Sequence, residues 1–91
     1  MLSQFPIDLD KISSENIDKE ILRLGLIAEL DAINLYEQLS AKSKNKKIKS
    51  VLLEIAKEEK THVGEFQALL LELDNEQVEE LVKGKEEVEE K

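Results

Sequence analysis

Three residues of this chain combine types and spacing that could hold a metal ion: Glu29, Glu59 and His62. Glu59-Lys60-Thr61-His62 is a Glu-x-x-His step. On an α-helix that spacing puts a carboxylate and an imidazole on one face, within reach of a single cation. Both residues fall on an otherwise apolar seam of Leu52, Ile55, Glu59, His62, Phe66, Leu69 and Leu73, which steps by 3, 4, 3, 4, 3 and 4 residues. Glu29 interrupts a second seam of Leu22, Leu26, Glu29, Ile33 and Tyr36, with steps of 4, 3, 4 and 3. An ionised carboxylate turned toward a core is costly unless a charge, a metal or hydrogen bonds compensate it, and neither stripe carries Lys or Arg. Taken singly, the signals are weak, because Glu-x-x-His arises by chance in many helices and a lone histidine at a helix contact is more often structural. The conjunction on two seams is what points to a metal.

With no Cys in the chain, the donors are oxygen and nitrogen only. Such a set favours iron or manganese over a structural zinc site, although zinc or calcium can substitute. Tyr36 shares the seam of Glu29 and is a candidate to stand beside the metal, against the plainer role of a core aromatic with its hydroxyl at the edge. Asp31 and Glu58 adjoin the candidates in sequence but turn about 100° away, as solvated surface acids would.

The elements that must position these residues are helices. From residue 17 to residue 43 there is no Pro, Gly25 is the one weak helix former, and apolar residues recur at three- and four-residue steps. Residues 47–73 repeat the pattern, and each helix would reach roughly 40 Å. The run Lys42-Ser43-Lys44-Asn45-Lys46-Lys47 brings positive charge to the first helix's negative end, and Asn45 can cap the second. A turn this tight makes the two helices antiparallel neighbours. Asp74 with Gln77 three residues on has the form of a capping box, opening a short third helix over residues 75–91 whose last turns, ending in EEVEEK, are a fraying acidic tail. Residues 1–13, with the sole Pro6, lack a sustained period and are expected as an extended arm.

Composition agrees with a single all-α domain over residues 1–91. Hydrophobic residues make up 41% and charged residues 37%, with 3 Gly, 1 Pro and 3% aromatics, a balance poor for strands and turns. The net charge of -8 repels phosphate backbones and anionic lipid heads, which argues against nucleic-acid binding. No apolar run approaches a membrane span, and the start MLSQFPIDLDK lacks the basic and apolar regions of a signal peptide, so a soluble cytoplasmic protein is expected.

One chain supplies half of a site. Carboxylate-bridged di-iron centres in ferritin-like bundles draw one Glu from each of two helices and a Glu-x-x-His pair from each of two more. This sequence has one of each. A two-fold axis would double Glu29, Glu59 and His62 to four carboxylates and two imidazoles, whose four negative charges balance two divalent ions. The expected assembly is a homodimer forming a ferritin-like four-helix bundle, which would also cover the broad apolar stripes of the hairpin. Iron in such a centre would be oxidised from Fe(II) to Fe(III). A peroxidase of the rubrerythrin kind, or a non-enzymatic helical module with Glu29 and His62 hydrogen-bonded across a dimer, are the competing expectations.

The stretch Leu24-Gly-Leu-Ile-Ala-Glu-Leu-Asp-Ala-Ile-Asn-Leu-Tyr-Glu-Gln-Leu39, followed by Ala56-Lys-Glu-Glu-Lys-Thr-His-Val-Gly-Glu-Phe66, resembles encapsulated ferritin over roughly residues 17–83. The likeness is strongest to the version fused to the front of an encapsulin shell protein. It implies a ferroxidase centre at a dimer interface, with Glu29, Glu59 and His62 of each subunit as ligands and Tyr36 near the metals. It also implies a ring, commonly a decamer of five dimers, lying inside an encapsulin nanocompartment that stores the oxidised iron. Two features depart from the pattern. Leu35 and Ala28 stand where some relatives carry an aromatic residue and an extra acid, and EEVEEK does not resemble the shell-targeting peptide of free-standing members.

Overall fold

The computed structural model describes residues 8–11 and 13–91. Three α-helices follow a 3-10 turn: α1 (Ile17–Lys42), α2 (Lys46–Leu73) and α3 (Asn75–Glu89), with no strand among the described residues. The fold is all-α, with two long antiparallel helices and a shorter C-terminal one.

α1 and α2 form the hairpin expected from their uninterrupted apolar period. Three groups pin its turn. The Asn45 side chain accepts hydrogen bonds from the backbone N–H groups of Lys47 and Ile48 at 2.9 and 3.0 Å, satisfying two donors left open at the start of α2. Lys49 Nζ donates to the carbonyls of Ser40 and Ser43 at 2.9 and 3.1 Å, placing a cation on the negative end of α1. The buried Ser40 hydroxyl returns a bond to the Lys49 carbonyl at 3.1 Å, so the two helix ends are bonded in both directions.

Asp74 joins α2 to α3. Its side chain accepts from Gln77 N at 3.0 Å as the helix cap and from Arg23 Nη2 of α1 at 3.0 Å, fixing the start of α3 against the first helix. Beyond that start α3 packs lightly, and Val82 and Val88 are 56% and 72% exposed. Leu9–Lys11 forms a 3-10 turn closed by Lys11 N donating to Asp8 O at 3.1 Å, where an extended arm was expected. Short-range backbone bonding suffices to fold that piece, and the rest of the expected arm, residues 1–7 and 12, lies outside the described residues.

Ala56 and Leu70 are the buried apolar side chains among the described residues. They lie 14 residues apart on one line of α2, together with half-buried Val63. The expected inward seam runs slightly round the helix from this line, so Leu69 and Leu73 are 49% and 48% exposed. They share an open apolar flank with Ile48 and Val51 of α2, and with Ile21 of α1, which meets Leu69 and Leu73 in one groove of about 240 Å³. With these side chains about half exposed, one chain by itself leaves this apolar flank uncovered.

Candidate metal centre

Glu29 stands near the middle of α1, and Glu59 and His62 near the middle of α2. The antiparallel hairpin brings the three to one level. Their ligand atoms lie within 4.8 Å of one another, a span that one cation or a closely spaced pair can fill. His62 Nδ1 is 3.4 Å from Glu29 Oε2 and 3.4 Å from Glu59 Oε2. The carboxylates are the more covered, at 17% and 19% side-chain exposure, while the imidazole is 44% exposed on the open flank.

The local electrostatics match the sequence argument. Lys60, inside the Glu-x-x-His step, turns to Glu37 at 3.0 Å and leaves both seam acids alone. Glu29 Oε2 is buried and has no hydrogen-bond partner. A buried carboxylate oxygen without a donor is an unsatisfied group, costing about 1–3 kcal/mol, and a cation seated between Glu29, Glu59 and His62 would satisfy it. The donor set, two carboxylates and one imidazole, suits a hard or borderline divalent ion such as iron. The residues present therefore fit a metal.

The site opens into a groove of about 370 Å³ lined by Glu29, His62, Glu65, Phe66 and Leu69. Leu69 belongs to this groove and to the apolar groove beside it, so the metal-ligand candidates face the same uncovered flank. Tyr36 is half-buried two turns along α1 from Glu29, about 10 Å along the axis. Glu58 is exposed, as expected of a surface acid, whereas Asp31 is half-buried.

Two relationships around the site were not read from the sequence. Arg23 meets Asp74 across 51 residues, a pairing that only the hairpin's register creates. Gly25, noted only as a weak helix former, lies against the Phe66 ring so closely that a Cβ there would stand 2.8 Å from Phe66 Cε1. A glycine inside an otherwise strong helix pattern was the available signal.

Comparison with known proteins identifies the family and the fold. The rubrerythrin family model matches residues 20–91. A ferritin-like-encapsulin shell fusion protein of Pyrococcus furiosus is 56% identical over 92 aligned residues, covering 99% of this chain and 27% of that protein. An encapsulin nanocompartment cargo protein of Myxococcus xanthus is 41% identical over 56 residues, covering 62% of this chain and 43% of that protein. The chain thus spans under half the length of either curated relative. Among solved structures, the crystal structure of the encapsulated ferritin domain from Pyrococcus furiosus aligns with a TM-score of 0.85 at 55% identity, covering 99% of this chain and 94% of that one. A family model matched over most of the chain and a solved domain matched over nearly its whole length lead to one assignment: the chain belongs to the rubrerythrin family and has the ferritin-like fold of its encapsulated members.

Proposed function

We propose that this chain oxidises Fe(II) to Fe(III) at a di-iron centre completed by a second copy of itself, and that Glu29, Glu59 and His62 of both copies hold the iron. The observation that carries this reading is the buried Glu29 Oε2, which has no hydrogen bond and the His62 imidazole at 3.4 Å, in a donor cluster on the rim of an uncovered apolar flank. Burial of that flank against its copy would bring two half-sites face to face, and the four carboxylates would balance two divalent ions.

In this role the carboxylates bind the iron and stabilise the extra positive charge that each ion gains on oxidation. The imidazole of His62 binds through Nδ1, the atom turned toward both acids. Iron is the substrate here, and two adjacent ions give up one electron each to a two-electron acceptor, oxygen or peroxide. The apolar residues around the site, Phe66 and Leu69, keep water from the acids and so strengthen their hold on the cation. The names of the relatives place their proteins with encapsulin shells, and the same setting, a cytoplasmic nanocompartment that stores the oxidised iron, is proposed for this chain.

The test is anaerobic Fe(II) addition followed by air or peroxide, with ferric absorbance and bound iron measured together. One iron per chain and rapid oxidation are expected, and Glu29→Ala, Glu59→Ala and His62→Ala should each remove most of it while leaving helical content intact. Faster turnover with peroxide than with oxygen would mark a peroxidase instead. Metal-free association with no acceleration of oxidation over buffer would leave a helical interaction module.

A further inference from the structure

Gly25 and Phe66 face each other across the hairpin one helical turn from the donor cluster. Gly25 precedes Glu29 by four residues on α1, and Phe66 follows His62 by four residues on α2. The ring is pressed against the glycine: a Cβ at position 25 would meet Phe66 Cε1, Cδ1 and Cζ at 2.8, 2.9 and 3.0 Å. Non-bonded carbons separate by about 3.5–4.0 Å, so any side chain at position 25 forces the ring to move by several tenths of an ångström. Phe66 also lines the groove that holds Glu29 and His62. The ring thus borders both α1 and that open groove, so the groove beside the donors is space into which it can be displaced.

We propose that Gly25 is a positioning residue for the metal centre, acting through Phe66. Because position 25 has no side chain, the ring lies back against α1 and forms the apolar floor of the groove, next to Glu29 and His62 without crowding them. A methyl group at position 25 drives the ring toward the donors, shifts the imidazole or the Glu29 carboxylate, and narrows the room for the cation. The proposal explains why a long helix otherwise built of good helix formers keeps glycine in its interior, where alanine would favour the helix. It rests on the metal-binding role proposed for Glu29, Glu59 and His62.

The experiment is Co(II) titration of the full chain in oxygen-free buffer, following both affinity and the visible d–d band, whose shape reports the geometry of the ligands. It is run on the parent, Gly25→Ala, Phe66→Leu and the double variant, with helical content and melting temperature measured alongside. The parent is expected to bind Co(II). Gly25→Ala should stay helical, bind about tenfold more weakly and show an altered band, as is usual when a residue supporting metal ligands is disturbed. In the Phe66→Leu background, the same glycine change should have no further effect, because the ring that transmits it is gone. Equal affinity and an unchanged band in Gly25→Ala overturn the proposal, as does an equal loss with and without the ring. A lower melting temperature with the band unaltered assigns Gly25 to packing alone and overturns it too. If the parent itself binds no Co(II), the metal-centre reading fails first and takes this inference with it.

Discussion

One nitrogen, His62 Nδ1, stands 3.4 Å from a carboxylate oxygen of each long helix, Glu29 Oε2 of α1 and Glu59 Oε2 of α2. The Glu29 oxygen is buried and otherwise unpartnered, so without a cation it weakens the hairpin. Replacing Glu29 by Gln keeps the volume and removes the charge. Glu29→Gln is expected to be at least as stable as the parent in the presence of a chelator, because a neutral amide costs less to bury than a carboxylate with no hydrogen bond. The same variant should retain little Fe(II). Melting in chelator and equilibrium dialysis with Fe(II) read the two effects separately, and a variant that melted lower yet kept its iron would refute the assignment.

Asp74 does two things at once, capping α3 through Gln77 and pairing with Arg23. The bond from Gln77 N, ahead of the nearby charges of Lys19 and Arg23, holds its carboxyl below the ordinary value of 3.8, overcoming the opposing effect of its burial. A folded-state value below the unfolded one means the contribution is fully present above about pH 4 and disappears as the pH falls through the lowered value. Protection of the α3 amides, measured relative to their intrinsic exchange rates, should therefore fall in that acid window. Asp74→Asn keeps an acceptor for Gln77 but has no charge to lose, so its α3 protection should be flat across the same window, while Asp74→Ala should fray α3 at every pH.

The fold was legible because its signals are local. Two seams with helical period, Asn45 before α2 and Asp74 before α3 specify helices and their starts from residues a few positions apart, and both caps bond as their side chains suggest. The donor cluster was legible for a related reason, since a glutamate on an apolar seam is a conflict visible without coordinates, and the structure brings Glu29, Glu59 and His62 together. What depended on register was not legible. Arg23 and Asp74 meet only once the hairpin aligns residues 51 positions apart, and the closeness of Gly25 to Phe66 depends on the depth of helix packing. The seam was read as the core of a bundle completed by a second copy, and in the single chain Leu69 and Leu73 lie on its open flank.

Lys49 supplies the next prediction. Its ammonium group donates to two carbonyls at the end of α1, that of Ser43 and that of Ser40, which also accepts from Ser43 N at 3.3 Å. Lys49→Met keeps most of the stem and removes both donors. The loss should be about 1–2 kcal/mol, the usual worth of hydrogen bonds made by a charged donor, and it should appear as a lower urea midpoint with an unchanged slope. Lys47→Met, which changes an exposed residue of the same turn, should be close to neutral.

Leu69 tests whether the metal site and the apolar flank are one functional surface. It lines the groove with Glu29 and His62 and the neighbouring groove with Ile21 and Leu73, and it is 49% exposed in the single chain. A second copy seated on this flank would bury it, and a charge there would meet low dielectric and lose its hydration. Leu69→Glu leaves every proposed ligand in place and the chain's own helix contacts nearly intact. Sedimentation velocity is expected to show parent dimers or larger assemblies and a Leu69→Glu chain reduced toward monomer, with Fe(II) oxidation per chain falling at least tenfold because each monomer would retain only half of the ligands. Oxidation at the parental rate by a monomeric Leu69→Glu chain would mean that one copy suffices, and the shared centre would have to be abandoned.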